Sequence, residues 1–116
     1  MATAEIKPEI TYEDFTKLDL RIGRIVEVKE FPRARNPSYK VAVEFADLGL
    51  KWSSAQITSY SIDELVGRQV ICTVNMPPRN VAGFMSEVLI MGAANEAGDI
   101  ILLKPSSEVV TGTIVY

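Results

Sequence analysis

The amino-acid sequence predicts a small all-β barrel with short helices and extra terminal segments. Three observations carry this reading. Tyr39, Val41, Val43 and Phe45 alternate with Lys40, Ala42 and Glu44, the period-two pattern of a half-buried strand. Further strand-like runs follow at short intervals, at Leu20–Phe31, Lys51–Ile57, Gln69–Asn75 and Ser86–Met91. The helical signals are brief, and each opens on a capping box. The 116 residues suit a single domain spanning 1–116.

Each element has its own local cause. Residues 1–10 read as an N-terminal arm. Thr11 caps a helix predicted over Tyr12–Leu18, with Asp14 at its third position and Phe15 and Leu18 on one face. Leu20 to Phe31 is the first and longest strand. Leu20, Ile22, Val26 and Val28 are read as one face, and Gly23 as a bulge or a point of close approach. Pro32 and Pro37 punctuate the next loop. The alternating Tyr39–Phe45 run turns at Asp47-Leu48-Gly49 and returns as Lys51–Ile57. Ser61 and Glu64 box a one-turn helix that Gly67 stops. Gln69–Asn75 is the fourth strand, Met76–Asn80 a loop with Gly83 relieving the next turn, and Ser86–Met91 the fifth strand. Residues 100–116 form a C-terminal extension, with late strands predicted at Ile100–Leu103 and Val109–Val115. Five strands with a short helix between the third and fourth match the OB-fold, a Greek-key barrel whose strand face and loops bind oligonucleotides.

Composition excludes several chemistries. The chain has no histidine, which removes Ser-His-Asp and Cys-His catalysis and His-based zinc sites. Cys72 is the only cysteine, so no internal disulfide and no CxxC metal site can form. It lies in the apolar run QVICTVN and is expected to be buried and inert. No phosphate-binding glycine loop is present. The expectation is a binding module rather than an enzyme, with no cofactor and no metal. Apolar runs are too short to span a bilayer, and MATAEIKPEI lacks the apolar centre of an export signal, so a cytoplasmic protein without membrane insertion is expected. The net charge of −3 weighs against a polyanion partner. Against it stands FPRARNPSYK, with three cations and no acid, because local fields rather than net charge steer a ligand to a groove.

Two stretches carry a resemblance. DFTKLDLRIGRIVEV (Asp14–Val28), and SSAQI (Ser53–Ile57) followed by NMPPRNVAGFMSEVLIMGA (Asn75–Ala93), are similar to the tRNA-binding OB domain. That domain is appended to some methionyl- and tyrosyl-tRNA synthetases and occurs in the cytokine precursor EMAP II and in stand-alone proteins. Synthetase members carry a glycine after the second serine of SSAQI and a methionine shortly after the serine of MSEV. Here those places hold Ala55, Val88 and Leu89, where the chain looks most like the stand-alone CsaA proteins. The resemblance covers roughly Ile10 to Tyr116. It implies a homodimer that binds tRNA or structured RNA and acts as a secretion-related chaperone for unfolded or pre-secretory polypeptides. Two other readings stay open: a tRNA-binding factor serving translation alone, and a non-catalytic dimeric scaffold.

The candidate groove follows. Trp52, Ser54 and Gln56 share the strand-three face opposite Ala55 and Ile57, and Trp52 offers a stacking platform or packs under a neighbouring loop. The resemblance places Asn75 at the groove; its amide can read a ligand or cap the turn before Pro77. Arg33, Arg35, Lys40 and Arg79 are candidate phosphate clamps or plain solvated charges. Phe31, Phe84 and Met85 are apolar rim groups or core, and Ser86 heads the MSEV motif beside them. The homodimer is expected to form through the terminal segments, because Ser86–Met91 is apolar on both faces and the chain ends in β-branched residues.

Overall fold

The computed structural model describes residues 5–116. The expected arm at 1–10 falls partly outside these; residues 5–10 carry no helix or strand. Helix α1 (Tyr12–Thr16) is held by its predicted capping box. The Asp14 N–H donates to the Thr11 hydroxyl at 3.2 Å, and the Thr11 N–H donates back to the Asp14 carboxylate at 3.3 Å. Bonds from Lys17 and Thr11 hold the Asp14 carboxyl below its ordinary value. The helix ends sooner than the sequence predicts. Leu18 is 47% exposed, so Phe15 alone of the expected pair is half-buried.

The strands are β1 (Leu20–Glu30), β2 (Tyr39–Glu44), β3 (Leu50–Ala55), β4 (Gln69–Thr73), β5 (Arg79–Val81), β6 (Phe84–Ser86), β7 (Leu89–Ile90), β8 (Gly92–Ala94) and β9 (Ile100–Leu102). Five of them form an antiparallel sheet in the order β3-β2-β1-β4-β7. This is the arrangement expected of an OB-like barrel. β1 serves both halves: Leu20–Arg24 pair with β4 and Arg24–Glu30 with β2. The register slips between Ile25 and Glu27. Ile25 is therefore fully buried while Val26 turns out to solvent, 41% exposed. This corrects the predicted face, which placed Val26 inside: one extra residue in a strand flips the alternation that follows it. Gly23 is the close-approach point instead. A Cβ there would lie 2.4 Å from Val43 Cγ1 and 2.7 Å from Phe45 Cε1.

The core gathers Ile25, Val41, Val43, Phe45, Ile57, Leu65, Val70 and Cys72. The turn after β2 is a 3₁₀ segment (Ala46–Leu48) closed by Gly49 at φ 80°. Leu65 of helix α2 (Ile62–Leu65) plugs the core, and Ser61 and Glu64 form the predicted capping box. Tyr39 Oη donates to the Tyr60 carbonyl at 2.9 Å, and Tyr60 Oη accepts the Leu102 N–H at 3.1 Å. Burial pushes the Cys72 thiol up to about 12.

Three segments depart from prediction. β4 stops at Thr73, and Arg79, expected in a loop, opens the β5–β6 hairpin. Its turn residues Ala82 and Gly83 have φ 49° and 86°, both positive as a type I′ turn requires. The continuous fifth strand Ser86–Met91 is broken: Ser86 ends β6, Leu89–Ile90 is the barrel strand, and Gly92 starts the β8–β9 hairpin. Val109–Val115 is no strand but a single bridge, Arg21 to Ile114. It still follows β1, through bonds from Gly112 N–H to the Ile22 carbonyl (2.7 Å) and Val115 N–H to the Leu20 carbonyl (2.8 Å). Among the described residues no helix is long and apolar enough to cross a membrane.

Candidate nucleic-acid interface

The outer face of β2 and β3 is set by register. Lys29 of β1 lies opposite Lys40 of β2, Lys40 opposite Ser54 of β3, and Ala42 opposite Trp52. The β5–β6 hairpin brings Phe84 against this face. Trp52 and Phe84 meet edge-on, ring centres 6.2 Å apart and planes at 89°, and Phe31 meets Phe84 at 5.4 Å and 67°. Such edge-to-face packing suits the ring quadrupoles.

Two ammonium groups stand over these rings. Lys40 Nζ is 4.9 Å from the Phe31 centre and 5.1 Å from that of Phe84; Lys29 Nζ is 5.3 Å from the Trp52 ring. Lys29 also lies 3.5 Å from Glu27, both being solvent-exposed. An exposed cation–π contact contributes about 0.5–1 kcal/mol. A base stacked on an aromatic ring contributes about 1–3 kcal/mol.

Beside the rings lies a cleft of about 260 Å³, lined by Ser54, Met76, Pro77, Arg79 and Ser86 through Leu89. Ser86 Oγ is buried and accepts the Ser54 N–H at 3.0 Å, which fixes the cleft floor. Glu87, which lines the cleft, is clamped to Trp52 of the neighbouring cluster: the Glu87 N–H donates to the Trp52 carbonyl at 2.7 Å, and the Trp52 N–H donates to the Glu87 carboxylate at 2.9 Å. Ser53 Oγ donates to the Val88 carbonyl at 2.8 Å. These bonds cover the free edge of β3 and bring the barrel close to closure.

The structure thus brings Phe31, Lys40, Trp52 and Phe84 into one cluster, and Ser54, Arg79 and Ser86 into the adjoining cleft. Arg33 and Arg35 stand exposed in the β1–β2 loop. Arg35 and Phe31 line a shared hollow with Pro37 and Thr58. Gln56 is exposed beyond the end of β3, and Met85 is exposed on the hairpin opposite Asn80. Asn75 is committed elsewhere: Nδ2 donates to the Lys17 carbonyl at 2.7 Å and Oδ1 accepts the Asp19 N–H at 2.9 Å, tying the α1–β1 connection to the end of β4. Among the described residues, no ion pair engages Arg33, Arg35, Lys40 or Arg79. Sequence reasoning missed Lys29, Met76 and Pro77. Only the cross-strand register, Lys29 against Lys40, could have placed Lys29 here.

Comparison with known proteins shows the family and the fold. The family model of the tRNA binding domain matches residues 20–114. The chain belongs to the tRNA-binding domain family. This tRNA-binding domain is 34% identical to methionine–tRNA ligase of Porphyromonas gingivalis over 112 residues, 97% of the chain but 16% of that enzyme. It therefore spans about a sixth of the length of such relatives. Two solved structures are matched along their whole length. The CsaA chaperone protein of Picrophilus torridus is 45% identical, with a TM-score of 0.88 over 93% of this chain and 100% of that one. The chaperone CsaA of Bacillus anthracis is 46% identical, with the same score over 94% and 100%. A MetRS-related protein of Pyrococcus horikoshii shares the fold at 22% identity and a TM-score of 0.83.

Proposed function

We propose that this protein is a non-catalytic, cytoplasmic RNA-binding module whose main ligand is tRNA. One observation carries the reading: an aromatic cluster, Phe31, Trp52 and Phe84, flanked by Lys29 and Lys40. The half-buried rings of Trp52 and Phe84, backed by the buried Phe31, supply stacking surface and the cations supply phosphate contacts, the pairing that single-stranded segments need. Arg33, Arg35 and Arg79 extend the positive rim, and among the described residues none of them makes an ion pair. Family membership and the synthetase relatives support the same ligand.

A second reading rests on the neighbouring cleft. Met76, Pro77, Val88 and Leu89 give it an apolar lining, and methionine adapts to varied partners. Together with the likeness to two CsaA chaperones, this supports a secretion-related chaperone role in which the cleft takes apolar side chains of unfolded or pre-secretory polypeptide. We also propose that the module works as a homodimer, which would set two such faces side by side and allow avidity.

Titrating tRNA at several salt concentrations tests the main reading. About three to four phosphate contacts per protomer give a log–log slope near −2 to −3. A flat response, or no binding at low salt, overturns it.

A further inference from the structure

We propose that Trp52 and Phe84 form a stacking site for an unpaired nucleobase, covered in the free protein by Lys29 and Lys40. On binding, both ammonium groups pass from ring face to phosphate. The ligand class is RNA with unpaired bases, in preference to duplex. This rests on the RNA-binding reading above and goes beyond it.

The argument begins with what lines the hollow at this point: Lys29, Lys40, Trp52 and Phe84, two rings and two cations. The rings pack edge-on at 89°, which leaves ring face uncovered by the neighbouring aromatic. The ammonium groups stand over those faces. A neutral base stacks on the same face more strongly than an exposed ammonium holds it. Exchange is thus favourable at the ring, and the flexible lysine stem keeps the displaced charge within reach of the phosphate that follows the base.

A second observation points to an anion between the two lysines. Lys29 and Lys40 are direct cross-strand partners. Like charges in that relation destabilise a sheet. Glu27 offsets Lys29 only through an exposed contact at 3.5 Å, which salt screens. A phosphate lodged between the two ammonium groups relieves the repulsion. Duplex RNA can supply that phosphate but not the base face, because its bases are stacked and paired. The half-buried rings therefore discriminate by strandedness rather than by sequence.

Trp52 is the only tryptophan, so its fluorescence reports on this site alone. The full chain is titrated with a stem-loop RNA and with a blunt duplex of equal phosphate number. The stem-loop should quench Trp52 emission and bind about tenfold or more tighter; the duplex should leave emission unchanged. Lys29→Met should keep the quench but reduce the magnitude of the salt slope by about 0.7, the loss of one single-strand phosphate contact. Trp52→Leu, checked for folding by circular dichroism, should bring stem-loop affinity down to that of the duplex. If that variant fails to fold, the quench in the unmodified protein still decides. Stem-loop bound without quenching, or duplex bound as tightly, overturns the stacking site while RNA binding stands. Failure of both RNAs to bind overturns the two readings together.

Discussion

Trp52 and Glu87 exchange two hydrogen bonds, one from each backbone N–H, at 2.9 and 2.7 Å. The carboxylate of Glu87 stands where a further strand would offer a carbonyl, so a side chain completes the ladder at the edge of β3. Glu87→Ala leaves the half-buried Trp52 N–H without its acceptor. A loss of about 1.5 kcal/mol is expected, the low end for a bond to a charged group, because Glu87 is partly solvated. Urea unfolding measures it, and a shift in Trp52 emission should accompany it. An unchanged midpoint and spectrum would show that the clamp does not hold the tryptophan.

Gly23 sets a second limit. A methyl group there would collide with Val43 and Phe45, both fully packed in the core. Overpacking of this kind costs about 1–3 kcal/mol. Gly23→Ala should lower the urea midpoint accordingly, with RNA affinity of the folded fraction unchanged. A variant as stable as the parent would mean that the core yields at β1.

Much of this was legible beforehand, for identifiable reasons. Tyr39–Phe45 announces itself because a two-residue period has no helical counterpart, and Thr11 and Ser61 because capping needs a particular side chain three residues before its partner. Val26 was not legible: a bulge moves one residue across a sheet without a mark in composition. The β5–β6 hairpin hid behind Pro77-Pro78, and its turn carries Ala82-Gly83 rather than the Asn-Gly pair that signals a type I′ turn. Of the groove, the aromatic residues and Lys40 could be named from strand alternation and loop composition. Lys29 could not, since it joins the site only through its pairing with Lys40. Asn75 was assigned to the groove only by the family resemblance, and its bonds to Lys17 and Asp19 depend on where α1 lies.

Cys72 gives a pH dependence whose sign follows from burial. Its thiol rises from 9.0 to about 12 in the folded chain, because burial disfavours the thiolate. Between those values the unfolded chain releases the proton and the folded one keeps it, so stability falls as pH rises. Cys72→Ala should flatten that part of the profile, read by urea unfolding from pH 8 to 11. At pH 8 the native thiol should resist a disulfide reagent and react once unfolded. Fast labelling of the native protein would contradict the burial argument.

Arg79 tests the positive rim without disturbing the barrel. It is exposed in β5 and, among the described residues, takes part in no ion pair. Removing charge-assisted bonds to phosphate costs about 1.5–3 kcal/mol. Arg79→Ala should therefore weaken tRNA binding about tenfold or more, with an unchanged circular dichroism spectrum. Binding equal to that of the parent would exclude Arg79 from the interface.

The remaining expectation concerns assembly. Apolar side chains stand in solvent at both ends of the chain: Ile6, Ile10 and Tyr12 at one, Val110, Ile114 and Tyr116 at the other. Ile114 is bridged to Arg21 at the start of β1, so the C-terminal group is fixed to the barrel while its side chains face outward. Monomers rarely leave large apolar patches uncovered, and a twofold contact through these terminal side chains would bury them in one self-complementary surface. Deleting 109–116 would test this poorly, because Gly112 and Val115 also bond to β1 and their loss would expose its edge. Charged replacements keep the backbone: Val110→Lys with Ile114→Lys should convert a dimer into a monomer, read by light scattering at micromolar concentration. The barrel should keep its circular dichroism spectrum and its per-protomer quench, while apparent affinity for long RNA falls as avidity is lost. A parent chain that is already monomeric, or a double variant that remains dimeric, would remove the terminal segments as the interface.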